Sequence, residues 1–294
     1  MFTFGRTPEW ASASNAPCGY GSGCAPPPSD VDTTDQILED FTTALVEHSL
    51  AGSGARIKYD EILNEPDLSG TWQGARDRSV AIDRQPIPDY FAAGGAPYAD
   101  VVGMHAYLYG SDGQFADVPE GIATTIDQLR ALMTTYGVAA KPIILTEGTW
   151  GGSPTNAPMT MDDKVAYLGR EHAIMWMNGI SRYYWYAYDN PGLGTLYDSS
   201  ELATGVAYGS IDDWLVGSTH GDAPCAQAAD ATWTCALVRR DGTPAVIAWN
   251  ATATHSLAAP AGMTSDLTLD DTTSHPIAAA ALLSARSRSC SCRG

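Results

Sequence analysis

Two acidic side chains stand where a carboxyl group could do chemistry. Residues 56–67, Arg-Ile-Lys-Tyr-Asp-Glu-Ile-Leu-Asn-Glu-Pro-Asp, run as an extended apolar stretch that stops at Asn64, Glu65 and Pro66. Residues 143–147, Ile-Ile-Leu-Thr-Glu, do the same and stop at Glu147. A glutamate at the carboxyl end of a parallel strand points into the cleft where barrel enzymes keep their reactive groups. Two such glutamates flanking a glycosidic bond can carry out retaining hydrolysis. One carboxyl stays protonated to donate to the leaving oxygen, and the other is ionised and attacks the anomeric carbon. The negative charge of the second raises the proton affinity of the first, which keeps the acid loaded near neutral pH.

Side chains at equivalent strand ends would serve that pair. His105 and Tyr107 close the strand before Glu147, with Tyr107 placed to donate a hydrogen bond that aims the nucleophile. Trp185 lies in the strand after it and, with Trp10 and Trp150, is a candidate to stack on the apolar face of a sugar ring. Each of these aromatics would otherwise pack in the core, which is the reading for Trp176 and Trp214. His172 sits inside an amphipathic helix and reads as a satisfied core residue. His220, His255 and His275 show no metal-ligand spacing, so no metal centre is expected. Double displacement needs no organic cofactor either.

The elements that must position these groups alternate between two periods. Phe2 to Phe4 reads as a strand, and Ile37, Phe41 and Leu45 mark a helix that runs from about Asp32 to Gly52. Ile57 to Leu63 is the next strand, so this strand-helix-strand unit implies a parallel pair. Pro88 starts a short helix that Gly94-Gly95 closes. Val101 to Tyr107 is a buried strand. Ile122, Ile126, Leu129, Met133 and Tyr136 line one face of a helix capped by Gly137. After the Glu147 strand, Asp162 and Asp163 open a helix that stops at Gly179, residues 182–188 form an aromatic strand, and a last helix covers about Ala203 to Leu215. Strand and helix alternate throughout, which argues for an α/β barrel or a doubly wound sheet. From residue 216 the texture changes to short alternating segments, Trp233 to Val238 and Ala245 to Trp249, joined by an Asp241-Gly242 turn. Two domains are therefore expected, 1–215 and a small β domain over 216–294. Asn250-Ala251-Thr252 is a glycosylation sequon. The tail 285–294 is not expected to form a strand.

Composition narrows the partners. The net charge of −18, spread along 294 residues, repels nucleic acid and anionic lipid. No stretch approaches the ~20 apolar residues that cross a bilayer. The six cysteines fall into close pairs, Cys18 with Cys24, Cys225 with Cys235 and Cys290 with Cys292. None has zinc-ligand spacing, so the first two pairs read as local disulfides from an oxidising compartment, with free buried thiols as the alternative. Secretion is expected, although Met1 to Arg6 reads directly as a strand and not as a signal peptide.

Four segments, ILNEPD, GMHAYLYG, PIILTEGTW and YYWYAYDN, resemble in this order the strand-four, strand-six, strand-seven and strand-eight signatures of the retaining clan A glycoside hydrolases. FGRTPEWAS resembles strand three of the cellulase-like and family thirty-nine-like branch. The resemblance runs from Phe2 to about Trp249. It implies a (β/α)8 barrel acting on a carbohydrate substrate, with Glu65 as acid/base, Glu147 as nucleophile and Asn64 on the sugar 2-hydroxyl; a monomer is expected. His105, Tyr107 and Trp185 would be subsite residues. If Phe2 to Phe4 is strand three, two βα units of about 31 residues each are missing before it, and the stretch from Glu65 to Val101 is too short for a full strand-five unit. An incomplete barrel is therefore expected. In the alternative reading the chain is a non-catalytic carbohydrate-binding barrel remnant.

Overall fold

The structure is a computed structural model that describes residues 2–3, 7, 10–12, 28–30, 33–52, 57–58, 60–61, 86–108, 118–150, 159–191, 193–221, 225–253, 255–258, 262–271, 273–277, 280–283 and 290–293. The chain divides into two compact units, Met1–Ala99 and Asp100–Gly294. In the first unit, β1 (Phe2–Thr3) pairs in parallel with β2 (Asp60–Glu61), and α1 (Gln36–Ala51) lies between them in sequence. The expected strand-helix-strand unit is thus present. The Asp30 carboxylate starts α1 by accepting from the Ile37 N–H at 3.1 Å and the Thr34 hydroxyl at 2.9 Å. None of the residues of α1 is buried, although Ile37, Phe41 and Leu45 recur on one face. Two prolines sit in the first turn of α2 (Pro86–Ala92), and Gly94 closes it at φ 91, a conformation that costs glycine little.

The second unit continues the alternation with β3 (Val102–Tyr107), α3 (Gly121–Thr135), β4 (Ile143–Thr149), α4 (Met161–Met177) and β5 (Arg182–Trp185). The three strands form one parallel sheet with β4 in the middle. Ile122, Ile126, Leu129 and Met133 of α3 are buried as their spacing predicts. A reciprocal capping box starts α4: the Thr160 hydroxyl accepts from the Asp163 N–H, and the Asp163 carboxylate accepts from the Thr160 N–H, each at 3.1 Å. A small antiparallel pair, β6 (Tyr197–Asp198) and β7 (Ser200–Glu201), precedes α5 (Ala203–Leu215).

From Thr219 on, every described element is a strand: β8 (Thr219–His220), β9 (Ala226–Gln227), β10 (Thr232–Val238), β11 (Pro244–Asn250), β12 (His255–Ala258), β13 (Ser265–Leu267), β14 (His275–Pro276), β15 (Ala280–Leu283) and β16 (Cys290–Arg293). Seven of them form one sheet, ordered β14-β13-β16-β11-β10-β8 with β9 also on β10, while β12 and β15 pair separately. The expectation that the tail would not form a strand is corrected, because β16 pairs with β11 on one side and β13 on the other. Backbone hydrogen bonds carry those pairings, so a sequence poor in β-formers still fills the gap. The Cys225–Cys235 disulfide is present, whereas Cys18 and Cys24 lie outside the described residues.

The sequon is corrected as well. Asn250 is fully buried, its amide donates to the Asp230 carbonyl at 2.8 Å and the Thr232 hydroxyl at 2.9 Å, and its oxygen accepts from the Thr252 and Ala253 N–H groups at 2.9 Å. A glycan cannot be attached there without dismantling that turn. A largely buried cluster is among the contacts that join the strand layer to the helices. Glu120 at the start of α3 accepts from Arg170 of α4, Nε to Oε1 at 2.8 Å, and from the Trp249 indole of β11 at 2.8 Å.

Candidate active site

Local irregularity in β4 sets the direction of Glu147. Met104 pairs with Leu145 but His105 pairs with Glu147, so Thr146 is an extra residue in β4 relative to β3. On the other side, Leu145 pairs with Tyr183 and Gly148 with Trp185, so Thr146 and Glu147 together oppose Tyr184. A bulge of this kind bends the strand and re-aims a side chain. Beyond it, His105, Tyr107 and Glu147 share one face of the sheet with Tyr184. Met104, Ala106, Leu145, Gly148, Tyr183 and Trp185 share the other, where Tyr183 and Trp185 meet His172 of α4 and Trp185 meets Tyr208 of α5.

On the first face, Tyr107 donates its hydroxyl proton to Glu147 Oε2 at 2.7 Å, and His105 Nδ1 lies 3.7 Å from the same oxygen. The Glu147 side chain is 24% exposed, enough to meet a ligand while its direction is held. Tyr184, also on this face, is 38% exposed.

On the covered face, Glu171 of α4 is fully buried and accepts from the Tyr183 hydroxyl at 2.7 Å. Burial raises its pKa from the usual carboxyl value to about 8, against smaller lowering effects from Tyr183 and Arg170, so it is neutral at neutral pH. Tyr183 is itself pushed well up, by burial first and then by Glu171. The neighbouring His172 is lowered to about 4 by burial, and its ring Nδ1 lies 2.8 Å from the Leu168 carbonyl, so it is a neutral core residue as expected. Gly148 makes this arrangement possible, because a Cβ there would stand 2.7 Å from Tyr183 Cε2 and 2.6 Å from the Ala106 carbonyl oxygen.

Glu147, His105 and Tyr107 are therefore together, as the sequence predicts. Asn64 and Glu65 lie outside the described residues. Trp10 is 77% exposed in the other compact unit. One stacking candidate, Trp150, is corrected, and a second, Trp185, is partly enclosed. Trp150 is only 5% exposed and packs edge-on against Trp185 with ring centroids 4.9 Å apart. Trp185 also packs against His172, Tyr183 and Tyr208, and its indole N–H donates to the Gly194 carbonyl at 2.6 Å. Trp150 is thereby sealed in the core, whereas Trp185 is half-buried among its neighbours. Tyr184 and Glu171 were missed. The period of 2 in Arg-Tyr-Tyr-Trp-Tyr separates Tyr184 from Trp185, but nothing in it says which side faces the helices. Among the described residues, no group of three or more His, Cys, Asp or Glu could hold a metal ion. No helix among them is long and apolar enough to cross a membrane.

No family model matches this chain, and no curated protein matches it. Solved structures do. A GH39 β-xylosidase from Caulobacter crescentus superposes with a TM-score of 0.63 at 15% identity, covering 99% of this chain and 78% of that one. A glucosidase from Croceicoccus marinus gives 0.53 at 16% identity, covering 90% of this chain and 62% of that one. The GH39 enzyme from Xanthomonas axonopodis pv. citri gives 0.55 at 15% identity, with 84% and 56% covered. This chain thus spans between about half and four-fifths of the lengths of these proteins, and at such identities the likeness is one of architecture. What the chain shares with these glycosidase structures is the fold, an arrangement of strands and helices with a parallel sheet.

Proposed function

We propose that the chain is a secreted, monomeric retaining glycoside hydrolase of the family thirty-nine-like branch, cleaving β-linked polysaccharide or oligosaccharide by double displacement. The observation that carries this reading is Glu147: a half-open carboxylate at the end of a parallel strand, re-aimed by a bulge and held by the Tyr107 hydroxyl at 2.7 Å. In the first step a Glu147 oxygen forms a bond to the anomeric carbon while the bond to the leaving oxygen breaks and Glu65 gives that oxygen its proton. In the second, water attacks the anomeric carbon, Glu65 takes the water's proton, and Glu147 leaves as a carboxylate. Retention by this route requires the two carboxyls to lie ~5 to 5.5 Å apart. Asn64 binds the sugar 2-hydroxyl, and His105 stands beside the nucleophile. The Cys225–Cys235 disulfide favours an oxidising compartment.

Incubation with an activated 2-fluoro glycoside, followed by peptide mapping, tests the assignment. The expected adduct is on Glu147; an adduct on another residue removes the assigned roles. Sugar binding with neither adduct nor product would leave a carbohydrate-binding barrel without catalysis.

A further inference from the structure

Tyr188 and Tyr197 form a stacked pair, with ring centroids 5.5 Å apart and planes 9° from parallel. They are 61% and 37% exposed, and because the rings stack on each other, Tyr197 backs one face of Tyr188 while the outer face of the more exposed Tyr188 is open to water. The backbone fixes that pairing. The Tyr188 carbonyl accepts from the N–H groups of Leu196 at 2.8 Å and of Tyr197 at 3.0 Å, and the Tyr197 hydroxyl donates to the Ser199 carbonyl at 3.2 Å. Leu196, the chain neighbour of Tyr197, is buried, and the Thr204 hydroxyl of α5 donates to the Thr195 carbonyl at 2.7 Å. The pair is therefore pre-organised as well as exposed, which lowers the entropy lost when a ligand settles on it.

Its location ties it to the Glu147 end of the sheet. The β5 ladder continues past Trp185 through the Tyr186 N–H to the Gly148 carbonyl at 3.0 Å, and Gly148 is the chain neighbour of Glu147. Tyr188 stands just beyond that point. We infer that Tyr188 and Tyr197 form an aromatic platform that takes a sugar ring of a neutral glycan, at a position further along the chain than the ring cleaved at Glu147. The inference rests on the glycoside hydrolase reading of the same sheet end. A pyranose ring presents flat C–H faces that lie on aromatic rings, while its edge hydroxyls need acceptors. Asp189 and Asp198, both exposed, flank the two tyrosines and supply them. The net charge of −18 disfavours anionic polymers on this surface and leaves a neutral, hydroxyl-rich ligand as the occupant.

Binding to neutral β-glucan, xylan and mannan, measured by affinity electrophoresis, tests the platform with Tyr188→Ala and Tyr197→Ala. Each is expected to weaken retention on the preferred polymer by on the order of tenfold, with Tyr188→Phe retained as wild type because the ring is kept. Tetranitromethane nitration of the unaltered protein gives an independent reading, with Tyr188 and Tyr197 expected to be protected by the bound polymer. Full retention of the alanine variants, unprotected nitration, or no binding of any of the three polymers would overturn the inference. The 2-fluoro adduct on the unaltered protein reports only the Glu147 site. Platform binding without an adduct would therefore sink the hydrolase reading and leave the platform, and an adduct without platform binding would do the reverse.

Discussion

The sheet β3-β4-β5 carries a glutamate–tyrosine pair on each side, and the two pairs have the same hydrogen-bond length. Tyr107 donates to Glu147 at 2.7 Å on one face, and Tyr183 donates to Glu171 at 2.7 Å on the other. Their surroundings differ. Glu147 is 24% exposed beside His105, whereas Glu171 is sealed under α4. Burial drives Glu171 up to about 8 and makes it a neutral packing group. The same residue types at the same distance thus occupy a half-open position on one face and a sealed one on the other. Solvent access, not the hydrogen bond, separates them.

The contrast can be broken by exchanging charge for amide. Glu147→Gln should abolish both turnover and the 2-fluoro adduct, while Glu171→Gln keeps the adduct on Glu147. If Glu171→Gln removes the adduct too, the two faces are not independent. Next in size, Tyr107→Phe removes a hydrogen bond to a charged group worth about 1.5–3 kcal/mol, so adduct formation should slow by roughly ten- to a hundredfold. Tyr183→Phe should act on melting temperature instead. Gly148→Ala tests the packing between the faces. The added methyl would meet the Ala106 carbonyl oxygen at 2.6 Å, a backbone atom that cannot swing away, and a loss of about 1–3 kcal/mol by urea denaturation is expected.

The smallest effect is the pH dependence of the buried face. Glu171 is raised from 4.5 to about 8, so its contribution is complete below 4.5 and is lost as pH rises through 8. His172 is lowered from 6.5 to about 4, so its contribution is complete above 6.5 and is lost as pH falls through 4. Between 4.5 and 6.5 the two slopes oppose each other, and this pair gives a plateau. From pH 6.5 to 8 the Glu171 slope alone remains and removes roughly 2 kcal/mol. Denaturation midpoints across this range should show that fall in the parent and its absence in Glu171→Gln.

Much of the scaffold was legible in advance. Gly137, Gly179 and Gly242 stop their elements at φ values of 72, 63 and 86, and the α4 capping box falls on the predicted start. Such signals are local and need no knowledge of the fold. Glu147 and Tyr107 are legible because they lie near or at the carboxyl ends of strands that read clearly. Three readings failed for non-local reasons. Trp150 is buried against Trp185 because the pleat assigns sides only once helices cover one of them. Asn250 is consumed by its own turn, which a three-residue sequon cannot reveal. Cys290–Arg293 becomes a strand because two neighbours offer it unpaired backbone. In the other direction, α1 forms from its apolar spacing, yet none of its residues is buried.

The amino-acid order by itself determined the alternation of strands and helices, the ends of those elements, and the position of Glu147 at a strand terminus, since hydrophobic period, capping and turn chemistry act within a few residues. Only the tertiary structure decided the bulge at Thr146–Glu147, the side of the sheet each aromatic occupies, and the neutrality of Glu171. Those depend on strand register and burial. A slip of one residue in register exchanges the two faces of a strand, and only neighbours distant in sequence can prevent it.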